Sequence, residues 1–307
     1  MKKFLYFIPT LLLWAVVISC DSDDSGGKAD DTLRRKVKVR IPQFVAGDDN
    51  AAEGKSRTVI LTDPKVKYVW DGNESIGIYS EEGAPTPFNL TGSYTENEAK
   101  FSSAKEKLVR GTTYYSICPY NVNLDSTVKG SVPVSYEGQA LDRFIGLYDT
   151  ITHLSAYDFL YAQAEVPIDE NSTTMFHFSR VGSLIRIRLD LPDAEATYHK
   201  IVLKAMEMPE TVNQFVVGGQ LDLATGVLSD PVKSPKMELL LGDVRPTEET
   251  GTVLYPAIMI YPGDKRYGFD MMLHYTDKEG VSHAKPYVLN GYIYKPNYYY
   301  QQVAIEQ

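Results

Sequence analysis

The chain has 307 residues, with 31 Lys+Arg against 40 Asp+Glu and a formal net charge of −9. That balance disfavours nucleic acid as the main partner, because phosphate binding needs a basic surface. Hydrophobic residues make up 43%, too many for a disordered chain, and two cysteines, Cys20 and Cys118, exclude a disulfide scaffold and a multi-thiolate zinc site. At one domain per roughly 150 residues the length suits two domains. Tyr occurs 22 times against 2 Trp, and tyrosine favours pleated, half-buried surfaces, so β structure is expected.

The amino terminus reads as an address. Lys2 and Lys3 precede an apolar run of fifteen residues, Phe4 to Ile18. A spanning helix needs about twenty, so the run fits a secretory h-region. Val17-Ile18-Ser19-Cys20 closes it and resembles the bacterial lipobox, which implies signal-peptidase cleavage between Ser19 and Cys20 and acylation (palmitate) of Cys20. Residues 1–19 are assigned to the signal peptide. Asp21 to Asp31 holds five Asp, two Gly and no large apolar residue, so it cannot bury surface, and 20–35 is expected to be a lipidated flexible tether. Asp21, Asp23, Ser25 and Gly26 imitate the start of a calcium loop, but Thr32 stands where a bidentate Glu is required, and the calcium reading is rejected. The acidic residues after Cys20 resemble the surface-export signal of Bacteroidota lipoproteins; in other bacteria an Asp at that place is a signal for retention in the inner membrane.

From Lys36 onward the dominant period is two. Val37, Val39 and Ile41 alternate with Lys36, Lys38 and Arg40. Ile185, Ile187, Leu189 and Leu191 alternate with Arg186, Arg188 and Asp190, and Phe269, Met271, Leu273 and Tyr275 with Asp270, Met272, His274 and Thr276. Alternation of this kind marks strands with one face buried and one wet. Turn formers such as Gly92-Ser93, Gly218-Gly219, Pro262-Gly263-Asp264 and Glu279-Gly280 separate them, which suggests β-sandwiches. Leu141, Phe144, Ile145 and Tyr148 have helical spacing, enough for a turn or two or for a loop. The polar run from Pro167 to Thr174 is the candidate linker and places a boundary near 169, giving domains over 36–169 and 170–307; a single large sandwich is the alternative.

Signals for catalysis are thin, and neither an enzymatic activity nor a cofactor or metal is expected. Gly47 to Gly54-Lys55-Ser56 imitates a phosphate loop, but six residues separate the glycines where four are needed. There is no G-x-S-x-G elbow and no H-E-x-x-H, and the histidines at 153, 177, 199, 274 and 283 are never four apart. A non-local triad would leave no local trace. Cys118, in an apolar strand, reads as a buried hydrophobe. Trp70 reads as core packing, with a sugar-stacking platform as the alternative.

Taken in order, several segments resemble the fimbrillin-like (FimA/Mfa-like) lipoprotein subunits of the type V pili of Bacteroidota. They are Arg57-Thr58 before a strand, Trp70-Asp71 with Ile76-Gly77-Ile78-Tyr79, and Tyr114-Tyr115 through Pro119-Tyr120. Tyr157 to Ala162, Phe176-His177-Phe178 leading to the Ile185–Leu191 strand, Gly219 to Leu223 and Asn290 to Tyr294 continue the series. Two departures stand out: Ser75 where the family usually has an acidic residue before Ile-Gly, and Tyr292-Ile293-Tyr294 after Gly291 where Gly-Lys-x-Tyr is usual.

The resemblance implies an all-β chain of two tandem transthyretin-like β-sandwich domains. It also implies export as a lipoprotein to the outer membrane and cell surface, assembly with other pilus subunits by β-strand donation, and support of adhesion. In stalk subunits an arginine-specific protease removes the first strand. Lys36 to Phe44 qualifies as that strand, and Pro42 argues for an edge position. The loop from Ala46 to Ser56 is rich in Gly, Asp, Asn and Ala, and Arg57 ends it as the candidate processing site. Arg57 reads equally well as a solvated residue entering a strand, and Arg34, Arg35 and Arg40 are competitors. The candidate donor strand is the tail, with Tyr299, Val303 and Ile305 on one face; that tail can equally complete its own sheet. The alternative function is a non-polymerising surface lipoprotein that binds glycan or another host ligand.

Overall fold

The computed structural model describes residues 33–307 apart from 35, 42–44, 47–59, 63–64, 68–69, 71–73, 80–84, 93, 96, 105–106, 121–129, 142–151, 170, 207–214, 249–250 and 264–266. The chain divides into two units, Met1–Asp31 and Thr32–Gln307, and every described residue belongs to the second. The described elements are strands, with a single 3₁₀ turn at Thr152–Ala156. The chain is therefore all-β, as its alternation predicts. No described helix is long and apolar enough to cross a membrane.

Eight strands build the first sheet. In chain order they are β1 (Lys36–Arg40), β2 (Ser75–Tyr79), β3 (Thr86–Leu90), β4 (Glu98–Ser102), β5 (Thr113–Cys118), β6 (Leu160–Glu165), β7 (Met175–His177) and β8 (Ser179–Arg180). Their spatial order is β7-β1-β4-β3-β2-β5-β6-β8. Alternate residues of β1 point inward, with Val37 and Val39 fully buried and Ile41 just beyond them also buried. They join Ile76, Phe88, Phe101, Leu160 and Phe176 in one apolar cluster. Trp70 is 2% exposed in that cluster, edge to face with Phe101 at 5.5 Å. Cys118 is buried at the end of β5, its Sγ 3.8 Å from the carbonyl oxygen of Ser75.

The second layer system begins with β9 (Ser183–Asp190), β10 (Thr197–Ala205), β11 (Phe215–Asp222), β12 (Leu228–Ser234), β13 (Lys236–Val244), β14 (Ala257–Ile260), β15 (Tyr267–Thr276), β16 (Ser282–Tyr292), β17 (Tyr298–Val303) and β18 (Ile305–Glu306). Strands β13-β10-β15-β16-β18 lie side by side in one sheet, and β9 pairs with β14 and β17 in another. Their apolar faces meet in a second cluster: Ile185, Ile187 and Leu189 of β9 with Ile201, Leu239, Met271 and Leu273. Phe215 of β11 stacks on Phe269 of β15 at 5.5 Å. Burial of each such aliphatic side chain contributes about 1.5–3 kcal/mol, which is why a strict two-residue period pins the register.

The two clusters interleave along the chain. Val132, Val134, Tyr136 and Leu154 belong to the second, whereas Phe176 and Phe178 belong to the first. The candidate linker is a loop with Ile168 75% exposed. Arg186 departs from the alternation of β9. It is buried, its guanidinium 4.6 Å over the ring of Tyr255, because neighbours flank β9 on both edges and Tyr255 covers the outer face.

Candidate strand-exchange interface

The first strand is shorter than expected and is not at an edge. Of the expected Lys36–Phe44 segment, β1 takes Lys36–Arg40, and Pro42 to Phe44 lie outside the described residues. β1 pairs antiparallel with β4 over Lys36↔Ser102 to Arg40↔Glu98. On its other side it pairs in parallel with β7, where Lys38 N–H donates to Thr174 O at 2.9 Å and Phe178 N–H to Arg40 O at 2.8 Å. This corrects the edge placement read from Pro42. The three-residue strand β7 covers the exposed side of β1, a pairing whose partner lies 137 residues away and leaves no local trace.

Charge holds the strand from outside. Arg40 Nε donates to Glu98 Oε1 at 2.9 Å, and Nη2 reaches the same oxygen. That hydrogen bond and the Arg40 charge, helped by Lys38 and His177, hold the Glu98 carboxyl below its ordinary 4.5.

Residues Val45–Ala46 form a two-residue parallel bridge to Tyr298–Tyr299 of β17. The amino-terminal segment therefore contributes backbone to both layer systems.

The tail is part of its own sheet. β17 lies parallel to β9, with Leu184↔Tyr299 through Arg188↔Val303 in register. Tyr299, Tyr300 and Gln302 are buried, while Val303 is 46% and Ile305 51% exposed. Tyr299 and Val303 share a face of β17 as expected, but Ile305 does not continue it, because Ala304 separates β17 from the short strand β18 that pairs with β16. Gln302 Nε2 donates to Asn290 O and to Tyr294 Oη, both at 3.2 Å. Ser19, Cys20 and Arg57 lie outside the described residues, as do the calcium-like and phosphate-like segments.

Among the described residues, one arrangement has the order of a hydrolytic triad, and it was not visible in sequence. His199 Nδ1 is 2.6 Å from Asp243 Oδ1 and its Nε2 is 2.7 Å from Thr276 Oγ1. The Asp243 side chain is 75% exposed and that of His199 39%. Water reaches both, so the imidazole and carboxylate lack the dry setting that makes such a relay effective, and the contacts tie neighbouring strands together at the surface. Among the described residues no group of three or more His, Cys, Asp or Glu converges as a metal site requires.

A fimbrillin-like family model matches residues 57–287, well over half of the chain. The chain belongs to the fimbrillin-like family. Its class is that of structural subunits of cell-surface fimbriae, which act in adhesion together with other fimbrial subunits. Matching solved structures include a candidate cell adhesion protein from Bacteroides ovatus, at 15% identity over 88% of this chain and 93% of that one, with a TM-score of 0.45. A candidate cell adhesion protein from Bacteroides eggerthii matches at 16% identity over 89% of this chain and 87% of its own, with a TM-score of 0.37. The fimbrial anchor protein Mfa2 from Porphyromonas gingivalis matches at 11% identity over 82% and 81%, with a TM-score of 0.32. No curated protein matches the chain.

Proposed function

We propose that this fimbrial subunit is exported as a lipoprotein through Cys20, held at the outer membrane by its acyl chains as a precursor, and joined to its neighbours, once cut, by exchange of β1. The observation that carries the exchange is the setting of β1. It is five residues long, its inward side chains are fully buried, and it is bonded along both edges. Its removal leaves a slot between β4 and β7 with an apolar floor and unpaired backbone groups on both walls. An amphipathic strand fills such a slot better than it fills a one-sided edge. Arg57 is the proposed processing residue, since a cut there detaches the whole of Lys36–Phe44, whereas a cut after Arg34, Arg35 or Arg40 leaves some or all of it attached. The chain works without catalysis or cofactor. Its sandwich domains are proposed over 36–169 and 170–307, behind a tether at 20–35, with β7 and β8 crossing back to the first sheet and Val132, Val134, Tyr136 and Leu154 reaching forward to the second core.

A host ligand is part of the adhesion reading, but Trp70 is not its platform, because the indole is buried against Phe101. The test is the amino terminus of the protein recovered from the cell surface. An acylated Cys20, or a new terminus at Thr58, supports the proposal; an unmodified terminus at any other residue overturns it.

A further inference from the structure

A buried ion pair with a third partner joins the two layer systems at the root of the tail. Arg180, on β8, and Asp158, two residues before β6, are both nearly inaccessible, with side-chain exposures of 0% and 2%. Arg180 Nε donates to Asp158 Oδ1 at 2.6 Å and Nη2 to Oδ2 at 3.1 Å, a bidentate fork. Arg180 Nη1 donates to Asn297 Oδ1 at 2.6 Å.

Asn297 is the residue that turns the chain into β17. Its φ is +67°, a left-handed conformation that Asn tolerates better than most residues. Its N–H donates to Gly182 O at 3.0 Å, and Ser183 Oγ donates to Lys295 O at 2.5 Å. The short crossing from β8 to β9 is thus stitched to the residues that precede the terminal strand.

A buried ion pair of this kind is weak as a source of stability and strong as a constraint, because removing one partner of a buried charge is costly. We propose that Arg180 is a latch. It ties retention of β17 in its own sheet to the Asn297 hydrogen bond of a buried guanidinium that Asp158 already fixes in place. Departure of the tail strips the side-chain oxygen of Asn297 from Arg180 and opens the crossing between the layers. Any second copy that borrowed the tail would have to leave that oxygen behind or replace it. The inference does not depend on cleavage at Arg57 or on acylation of Cys20.

The test is amide hydrogen exchange on the full chain without its signal peptide, comparing Asn297→Gly, Asn297→Asp and the double variant Arg180→Met with Asp158→Leu. Glycine keeps the positive φ without strain and removes the acceptor; aspartate restores an acceptor oxygen. The expected result is exchange over Tyr299–Val303 about tenfold faster in Asn297→Gly. Protection over Met271–Leu273 of β15 stays unchanged, and Asn297→Asp stays near the parent. The double variant should loosen the same tail amides. Unchanged tail protection in Asn297→Gly overturns the latch, and so does an equal acceleration in every strand.

Discussion

Tyr161 rests on Gly226. The turn after β11 brings Gly226 so close to β6 that a Cβ built on it would lie 2.1 Å from the tyrosine ring, and Tyr161 Oη donates to Thr225 O at 3.3 Å. Gly226 also has φ +71°, which a side chain opposes. The contact links β6 of the first sheet to a turn of the second layer system. Gly226→Ala should therefore cost about 1–3 kcal/mol in denaturant unfolding, the sum of backbone strain and a displaced ring. Adding Tyr161→Ala should cost less than the two single changes together, because the collision is gone. Strict additivity would contradict the contact.

Trp70 tests the packing reading directly. Trp70→Ala should lower stability by about 3–5 kcal/mol, with Trp70→Phe clearly milder. A loss near zero, with glycan binding removed instead, would restore the stacking-platform alternative.

The grip on β1 should depend on pH. A carboxyl held below its unfolded value contributes stability above that value and loses it as pH falls through the lowered one. Glu98 is such a group, held down first by its hydrogen bond to Arg40. Exchange of the Lys36–Arg40 amides should accelerate relative to those of β15 as pH drops below about 4. Glu98→Gln should remove that dependence. A variant whose β1 amides respond to pH as the parent's do would exclude the pair as a clamp.

Cys20→Ala should abolish membrane attachment, since each buried CH₂ of an acyl chain contributes about 0.8 kcal/mol to anchoring. Fractionation of membranes from cells expressing the variant measures this, and an unchanged level in the outer membrane would end the lipid-anchor reading.

The parts of the fold legible in the sequence are those set by local periodicity. Val37, Val39 and Ile41 face inward as their alternation predicts, and Trp70 and Cys118 are buried as expected. What the sequence hid is non-local. Strand β7 covers β1 through a pairing between Met175–His177 and Lys38–Arg40, and three residues carry no period of their own. The tail misled at Ile305, which shares the face of Tyr299 and Val303 only if the strand runs unbroken, and it is interrupted at Ala304. Arg186 and Arg180 are buried charges whose partners come from distant segments, and their residue type alone argues for solvent.

Assembly by strand exchange requires that β1 be a replaceable strand. The direct measurement is limited arginine-specific proteolysis of the soluble chain, with the mass of the new terminus, the fate of the Lys36–Arg40 segment and the size of the product followed together. A replaceable β1 gives a cut after Arg57, release of that segment, and protease-dependent ladders that Arg57→Ala prevents. A clean cut after Arg57 that leaves β1 bound and the product monomeric under every condition would contradict it.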